Sequence, residues 1–264
     1  MDTIASRDGT TIAYDKQGEG PAVIVVDGAL SVHSAGGKSD LAGLLAPRFT
    51  VYGYDRRGRG GSGDTLPYAV DREIEDIEAL IDAAGGSADV YGHSSGASLA
   101  MLAAVKLGGK VTRLAMYEAP YNDAPEAQQS WAQYLSEMGQ ALADGRRGDA
   151  IAVFMRYVGT PDEQIDGMRA SPFWAGMEAI APTLAYDHTA IQGPANTVPV
   201  DVAAQVPVPT LVMSGNAGFP FMAGTARALS AAMPHGELRI VDGQDHNVTA
   251  DAVAPVLTEF FARG

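Results

Sequence analysis

The 264-residue chain contains no cysteine. This absence excludes disulfide bonds, thiolate metal ligands and a cysteine nucleophile in one step. No apolar run approaches the roughly 20 residues that a helix needs to cross a bilayer. The first residues, Met1 to Gly9, also lack the basic and apolar regions of a secretory signal. We therefore expect a cytoplasmic protein without a membrane partner.

Positive charge is also scarce, because 18 lysines and arginines face 32 aspartates and glutamates, for a net charge of −14. Such a surface repels the phosphates of nucleic acids and anionic lipids, so neither is expected as a partner. Apolar residues make up 46% of the chain, enough for one large core. The length fits one α/β domain with an insertion better than two independent domains. A homodimer is a possible assembly that the sequence leaves open.

Short apolar runs alternate with helical patterns near both ends of the chain. Ala22–Val26 is a continuous β-branched run, typical of a strand buried on both faces of a parallel sheet. A stripe of apolar residues at helical spacing follows later, at Val70, Ile74, Ile77 and Ile81. This alternation predicts an α/β fold with a doubly wound, mostly parallel, eight-stranded sheet. The predicted strands are Asp2–Ser6, Thr10–Lys16, Ala22–Val26, Thr50–Tyr54, Ala88–Tyr91, Val111–Tyr117, Thr210–Met213 and Glu237–Val241.

The alternation is interrupted over residues 120–206, where only helical patterns occur. We predict a core domain of residues 1–119 and 207–264, with residues 120–206 inserted as a helical lid. One apolar stripe of this insertion is Trp131, Leu135, Met138 and Leu142. Predicted helix starts lie at Asp123, Thr160 and Ser171.

The segment Gly92-His93-Ser94-Ser95-Gly96 carries the pattern G-x-S-x-G between a predicted strand and a predicted helix. A serine on such a sharp turn holds its hydroxyl clear of the sheet, above the positive end of the helix. We predict that Ser94 is a nucleophile and that the Ser95 amide donates to an oxyanion. The alternative is a glycine-rich turn without a catalytic role.

A serine hydroxyl needs a neighbouring base at neutral pH, and imidazole is the usual one. Among the five histidines, only His246 follows the final predicted strand, so it is the predicted base. His93 lies beside Ser94 and is expected to pack behind the turn. His33 follows the first core strand, where it either lines the site or has no role. Surface positions are expected for His188 and His235.

The segment Asp27-Gly28-Ala29 follows the strand Ala22–Val26. A backbone amide of this segment, that of Ala29, is a candidate for the second oxyanion donor. The alternative, a simple Asp-Gly turn, is compatible with that role.

Taken in order, these motifs resemble the α/β-hydrolase superfamily, and most closely its lidded group of esterases, perhydrolase-like enzymes, carbon–carbon bond hydrolases and lyases. The run Asp55–Ser62 is similar to that group's structural D-x-R-G-x-G-x-S turn, and it lacks the Lys-Ser/Thr ending of a phosphate-binding loop. The resemblance implies a serine hydrolase that needs no metal ion and no organic cofactor.

Two positions depart from the family pattern. Asp27 stands where the family usually has histidine, and we expect it to make structural hydrogen bonds, with an extra acid/base role left open. The family's acid normally follows the strand before the last, but aligning Gly215 with the family's glycine leaves Gly218 at that position. Because the acid orients the imidazole, its loss would be costly. Glu118, at the end of the neighbouring strand, is the predicted replacement; the alternative is a salt bridge or cap at the lid entrance.

Both tryptophans, Trp131 and Trp174, fall in the predicted lid and are candidates for lining an apolar pocket. The leading hypothesis is hydrolysis of an ester or related acyl bond in a small, moderately hydrophobic organic substrate. One alternative keeps the machinery for a carbon–carbon bond hydrolase, perhydrolase, lyase or cyclase of specialised metabolism, since the fold hosts all of these. Another is a non-catalytic small-molecule-binding protein, for which the missing acid at Gly218 would be a sign of decay.

Overall fold

The computed structural model describes residues 1–33 and 38–263. Its strands are β1 (Asp2–Ala5), β2 (Thr11–Gln17), β3 (Ala22–Val26), β4 (Thr50–Tyr54), β5 (Ala88–His93), β6 (Val111–Tyr117), β7 (Thr210–Gly215) and β8 (Gly236–Val241). Its α-helices are α1 (Lys38–Leu45), α2 (Val70–Ala83), α3 (Ser95–Leu107), α4 (Pro125–Ala143), α5 (Arg147–Tyr157), α6 (Asp162–Arg169), α7 (Trp174–Ile180), α8 (Thr183–Ala185), α9 (Val200–Ala203), α10 (Pro220–Ala232) and α11 (Ala250–Phe261).

Within the described residues, eight strands form one sheet in the order β1-β2-β4-β3-β5-β6-β7-β8. Strand β2 runs antiparallel to both β1 and β4, and the other neighbouring pairs are parallel. The antiparallel start is a hairpin whose turn holds Gly9 at a φ of 85°, as its Asp-Gly sequence favours. The predicted mostly parallel, eight-stranded sheet is therefore confirmed.

Helices cover both faces of the sheet, because the central strands present apolar side chains in both directions. On β3, Ile24 and Val26 pack in one core cluster with α2, α3 and α10, while Val23 and Val25 pack in the other with α1 and α11. This two-sided burial explains the continuous β-branched run of β3. The doubly wound prediction is thus confirmed as well. No helix in the described part of the chain is long and apolar enough to cross a membrane.

Between β6 and β7 the described chain is helical, with α4 to α9 and a π-helix at Tyr186–Ile191. Two apolar clusters hold these helices together, one around Trp131 and the other around Trp174. The predicted helix starts were early by two to three residues. Asp123, expected to cap a helix, instead accepts a hydrogen bond from the Val198 amide at 2.8 Å, and α4 begins at Pro125 without a side-chain cap.

Candidate active site

The predicted nucleophile lies on a tight turn between β5 and α3. Ser94 has a φ of 57° and a ψ of −130°, a strained backbone conformation for a residue with a side chain. The turn is possible because its neighbours are small: a Cβ on Gly96 would collide with the carbonyl oxygen of Val26. A Cβ on Gly28 would lie 2.8 Å from the Cβ of Ser94 and 3.3 Å from its hydroxyl. The turn that follows β3 therefore lies directly against Ser94.

The structure brings Ser94, His246 and Glu118 together. His246 Nε2 lies 3.0 Å from Ser94 Oγ, and His246 Nδ1 lies 2.8 Å from Glu118 Oε2. A carboxylate at Nδ1 favours the imidazole tautomer that carries its proton there, which leaves Nε2 free to accept the serine proton. The three side chains thus have the connectivity of a nucleophile, a base and an orienting acid.

Glu118 reaches the histidine from the end of β6, with a φ of 47° and only 2% of its surface exposed. Its Oε1 accepts hydrogen bonds from the Gly215 amide at 2.9 Å and the Ser214 hydroxyl at 3.2 Å, both on the neighbouring strand β7. Burial raises the carboxyl pKa, but hydrogen bonds from His246 and Gly215 outweigh it and hold the pKa of Glu118 below its usual value. The carboxylate is therefore ionised at neutral pH.

Gly218 lies beside the histidine loop but contributes no side chain to it. A Cβ at this position would lie 3.3 Å from Asp245 and 3.4 Å from the His246 amide. Two other side chains hold the loop that carries Asp245 and His246. Tyr117 Oη donates to the Asp245 carbonyl at 2.6 Å, and His93 Nε2 contacts the His246 carbonyl at 2.8 Å. The His93 ring therefore lies beside the His246 ring, with centroids 5.0 Å apart.

The residues predicted to donate to an oxyanion, Ser95 and Ala29, lie in the two segments next to Ser94. Ser95 is the first residue of α3, where backbone N–H groups lack intrahelical acceptors. Ala29 follows Gly28, the residue in closest approach to Ser94, and precedes Leu30, which has a φ of 54°. The described non-glycine residues with positive φ are Leu30, Ser94, Glu118 and Asn196. One of the four is the serine itself, Glu118 bonds to its histidine, and Leu30 lies two residues after Gly28. Backbone strain of this kind concentrates at functional sites.

Asp27 and His33, the other two predicted site residues outside the insertion, have different surroundings. Asp27 is buried, and its carbonyl accepts a hydrogen bond from Arg56 at 3.0 Å. The His33 ring lies against Gly53 of β4, and its Nε2 is 3.6 Å from Asp15 of β2. Its ring contacts therefore point towards the antiparallel edge of the sheet, and a lining role for His33 stays a prediction.

Both tryptophans are buried in the helical insertion with their indole nitrogens engaged. Trp131 Nε1 donates to the Gly193 carbonyl at 3.0 Å, and Trp174 Nε1 donates to Glu178 at 3.0 Å. The cluster around Trp131 also packs against Ala29 and Leu30. This part of the insertion therefore touches the segment after β3 that contains the predicted oxyanion donor Ala29. Contact of either indole with a substrate stays a prediction.

One expectation about the insertion was wrong. His188, expected at the surface, is only 5% exposed. Its Nδ1 lies 2.6 Å from Tyr134 Oη, and aromatic rings of α4 and α5 surround it. Burial lowers the pKa of His188 to about 4, so the ring is neutral at neutral pH. The preceding residue, Asp187, is buried among arginines, and neither residue carries a sequence motif that would have identified it.

Among the described residues, no group of three or more histidine, aspartate or glutamate side chains could hold a metal ion.

Comparison with known proteins agrees with the fold. The sequence model of the Alpha/beta hydrolase family matches residues 30–258. The chain belongs to this family. An alpha/beta hydrolase from Sphaerobacter thermophilus DSM 20745 is 48% identical, with a TM-score of 0.85 over 99% of this chain and 100% of that one.

More distant structures share the fold. The enol-lactonase from Burkholderia xenovorans LB400 is 22% identical, with a TM-score of 0.71 over 99% of this chain and 100% of that one. A meta-cleavage product hydrolase from Pseudomonas fluorescens IP01 is 18% identical, with a TM-score of 0.68 over 99% and 97% of the two chains. A search of curated proteins gave no match.

Proposed function

We propose that this member of the alpha/beta hydrolase family is a serine esterase that cleaves an ester or related acyl bond in a small, moderately hydrophobic organic molecule. One observation carries the proposal: the unbroken hydrogen-bond chain from Ser94 through His246 to Glu118, at 3.0 Å and 2.8 Å. Each element of that chain meets the needs of a nucleophilic serine, namely a base within reach and an acid that orients the base.

In the proposed reaction, Ser94 Oγ attacks the substrate carbonyl carbon while His246 Nε2 takes the hydroxyl proton. The amides of Ala29 and Ser95 stabilise the negative charge that forms on the carbonyl oxygen. The tetrahedral intermediate collapses when His246 returns the proton to the leaving alkoxide, which departs as an alcohol. Water, deprotonated by His246, then attacks the acyl carbon, and the carboxylic acid leaves as Ser94 regains its proton. Glu118 stabilises the imidazolium in both halves of the reaction.

The proposed class of substrate rests on the side chains around Ala29 and Leu30, the residues that follow β3. The aromatic cluster of the insertion, which includes Trp131 and Tyr134, packs against Ala29 and Leu30. We propose that the insertion, residues 120–206, acts as a lid whose apolar side chains favour an organic acyl group over a sugar or a phosphate. The shared fold with an enol-lactonase suggests that cyclic esters are substrates worth testing.

Carbon–carbon bond hydrolysis is the second candidate, because the same fold occurs in a meta-cleavage product hydrolase and Asp27 departs from the usual oxyanion strand. The non-catalytic alternative has less support. A decayed site would not need to keep Glu118 buried and ionised against the histidine, with its φ at a strained 47°. A small molecule is the proposed partner, and the cytoplasm the proposed location.

The test combines covalent labelling with a substrate panel. The protein is treated with a fluorophosphonate, and the modified peptide is identified by mass spectrometry. Hydrolysis of p-nitrophenyl esters of increasing acyl length, of an aromatic lactone and of a meta-cleavage product is measured in parallel. We expect a single phosphonyl adduct on Ser94, fastest turnover of short to medium esters, and loss of both labelling and turnover in Ser94→Ala.

Ser98→Ala is the matched control, because Ser98 is also buried on α3. It should leave both readouts close to wild type. Labelling at another residue, or ester turnover that persists in Ser94→Ala, would refute the serine mechanism. Turnover of the meta-cleavage product alone would move the reaction to the second candidate.

A further inference from the structure

A buried cluster of charged residues contacts the segment that follows β3, and none of its side chains takes part in the proposed reaction. Asp187 is its centre, with none of its surface exposed. Its Oδ1 accepts a hydrogen bond from Arg56 at 2.6 Å, and its Oδ2 accepts one from Arg59 at 2.5 Å. Glu73 forms a two-pronged pair with Arg56 at 2.7 Å. The two arginines and two carboxylates neutralise one another.

This cluster holds the peptide group that bears the first proposed oxyanion donor. Arg59 Nη1 donates to the Gly28 carbonyl at 2.7 Å. That carbonyl and the Ala29 N–H belong to the same planar peptide unit. A hydrogen bond that fixes the carbonyl on one side therefore fixes the direction of the N–H on the other. It also polarises the peptide, which makes the N–H a stronger donor.

The same carboxylate holds the residue that bears the second proposed donor. Ser95 Oγ donates to Asp187 Oδ1 at 2.7 Å, and Ser95 is itself fully buried. Arg56 adds a third attachment, since its Nη1 donates to the Asp27 carbonyl at 3.0 Å. A single side chain from the helical insertion thus connects both donor segments, which come from different strands of the sheet.

The backbone around Asp187 is unusual. It lies in the π-helix Tyr186–Ile191, where the Gln192 amide donates to the Asp187 carbonyl. Such wide turns are rare and occur mostly at functional positions, because they change the direction of a side chain within a helix. Here the π-helix begins at Tyr186, directly before Asp187, whose side chain contacts Arg56 and Arg59.

We propose that Asp187, acting through Arg59 and Ser95, is a positioning residue that aligns the amides of Ala29 and Ser95 for the oxyanion. The inference rests on the proposed function, because it requires an oxyanion to form at Ser94. It also predicts a physical link between the insertion and catalysis: an insertion that is displaced withdraws Asp187 and releases both donors at once.

A second buried ion pair in the same run of arginines provides the control. Arg57 makes a two-pronged pair with Asp76 at 2.7 Å and 2.8 Å, and Asp76 is as deeply buried as Asp187. The hydrogen bonds of the pair within the described residues connect it to Asp8 and Arg72, away from the serine. Asp76→Asn therefore reproduces the loss of a buried charge without touching an oxyanion donor.

The experiment compares Asp187→Asn and Ser95→Ala with the controls Asp76→Asn and Ser98→Ala. Ser95→Ala keeps the backbone amide and removes only the tie to Asp187. Competent sites are first counted by the endpoint of fluorophosphonate labelling. For p-nitrophenyl butyrate, kcat and KM are then measured per competent site. The inhibition constant of an aryl trifluoromethyl ketone, which forms an anionic tetrahedral adduct with a serine, is measured alongside.

We expect Asp187→Asn to lower kcat by about 100-fold and Ser95→Ala by about tenfold, with KM nearly unchanged, because small displacements of catalytic donors have effects of this order. The affinity for the ketone should fall in parallel, since its adduct carries the same negative oxygen. In the two control variants the number of competent sites can fall, but kcat and ketone affinity per competent site should stay at the wild-type values.

Equal values per competent site in Ser95→Ala and Ser98→Ala would overturn the positioning role, and this holds even if Asp187→Asn does not fold. Failure of the proposed function looks different. In that case the wild-type protein itself neither hydrolyses the ester nor binds the ketone at Ser94.

Discussion

Two buried carboxylates lie near the carboxyl-terminal edge of the sheet, and their surroundings differ. Glu118, from the end of β6, contacts an imidazole whose side chain is 28% exposed, and its other partners are an amide and a hydroxyl. Asp187, from the insertion, contacts two guanidinium groups that are themselves fully enclosed. One carboxylate faces an imidazole, which can serve as a base, and the other faces guanidinium groups, which stay charged.

The difference teaches what each carboxylate can do. Glu118 can respond to a change of charge on His246 during a reaction, so its removal should affect the proton-transfer step. The pKa of Asp187 is lowered to about 2: burial opposes ionisation, but Arg56 and Arg59 favour it more strongly. Asp187 therefore keeps a constant charge and serves geometry and stability.

The largest expected loss of stability is that of a variant at Asp187. Asp187→Asn should lower the free energy of unfolding by about 3–5 kcal/mol, because it leaves two buried guanidinium groups with reduced compensation. Asp149→Asn is the control: Asp149 also pairs with two arginines of the insertion, but its side chain is 43% exposed, and surface pairs contribute about 1 kcal/mol or less. Urea unfolding of both variants measures the contrast. Similar losses in the two would show that burial of the cluster does not matter.

The second prediction concerns pH and His188, the neighbour of Asp187. Its pKa is about 4 in the folded protein against 6.5 ordinarily. The unfolded chain therefore binds a proton between these values while the folded chain does not. Stability from this group is fully present above pH 6.5 and is lost as the pH falls towards 4, by up to about 3 kcal/mol.

Urea unfolding between pH 7 and pH 4 measures this loss. His188→Gln should remove most of the slope in that window, whereas His235→Gln, at an exposed position, should keep it. An unchanged slope in His188→Gln would contradict the burial of a neutral His188.

The smallest expected effect tests whether the ends of β6 and β7 are interchangeable. A Cβ at Gly218 would lie 3.4 Å from the His246 amide. In a Glu118→Gln background, Gly218→Asp should therefore restore kcat by about tenfold, since a carboxylate again lies near the imidazole. Gly218→Asn in the same background supplies the shape without the charge. If it restores as much, orientation by a carboxylate is not the cause.

The strand-end residues were predictable from sequence because their positions follow from topology. Parallel strands place their carboxyl ends at one edge, so Ser94 and His246, each just after a strand, were expected to be neighbours. Glu118 could be chosen because Gly218 left the usual position without a carboxylate. The sheet and its helices could be predicted for the same reason, since apolar periodicity records burial directly.

The helical character of the insertion was predictable, but its buried charged and polar residues were not. Asp187 and His188 become buried only when the helices of the insertion pack on the sheet. The partners of Asp187, Arg56 and Arg59, are more than 120 positions away, and the partner of His188 is Tyr134 on another helix. Local sequence marks charged residues as exposed by default. The pairing that overrides this default depends on tertiary contacts, and the π-helix that directs Asp187 has no sequence signal of its own.

The central claim is that Glu118 is the acid of a Ser94–His246–Glu118 triad. Its most direct test is kcat for p-nitrophenyl butyrate in Glu118→Gln, with Asp242→Asn as control, because Asp242 lies in the histidine loop but bonds to Asn216. We predict that Glu118→Gln lowers kcat by about 10³- to 10⁴-fold, the loss expected when the imidazole tautomer is no longer held. Asp242→Asn should stay near wild type. A Glu118→Gln enzyme within about threefold of wild type would contradict the triad.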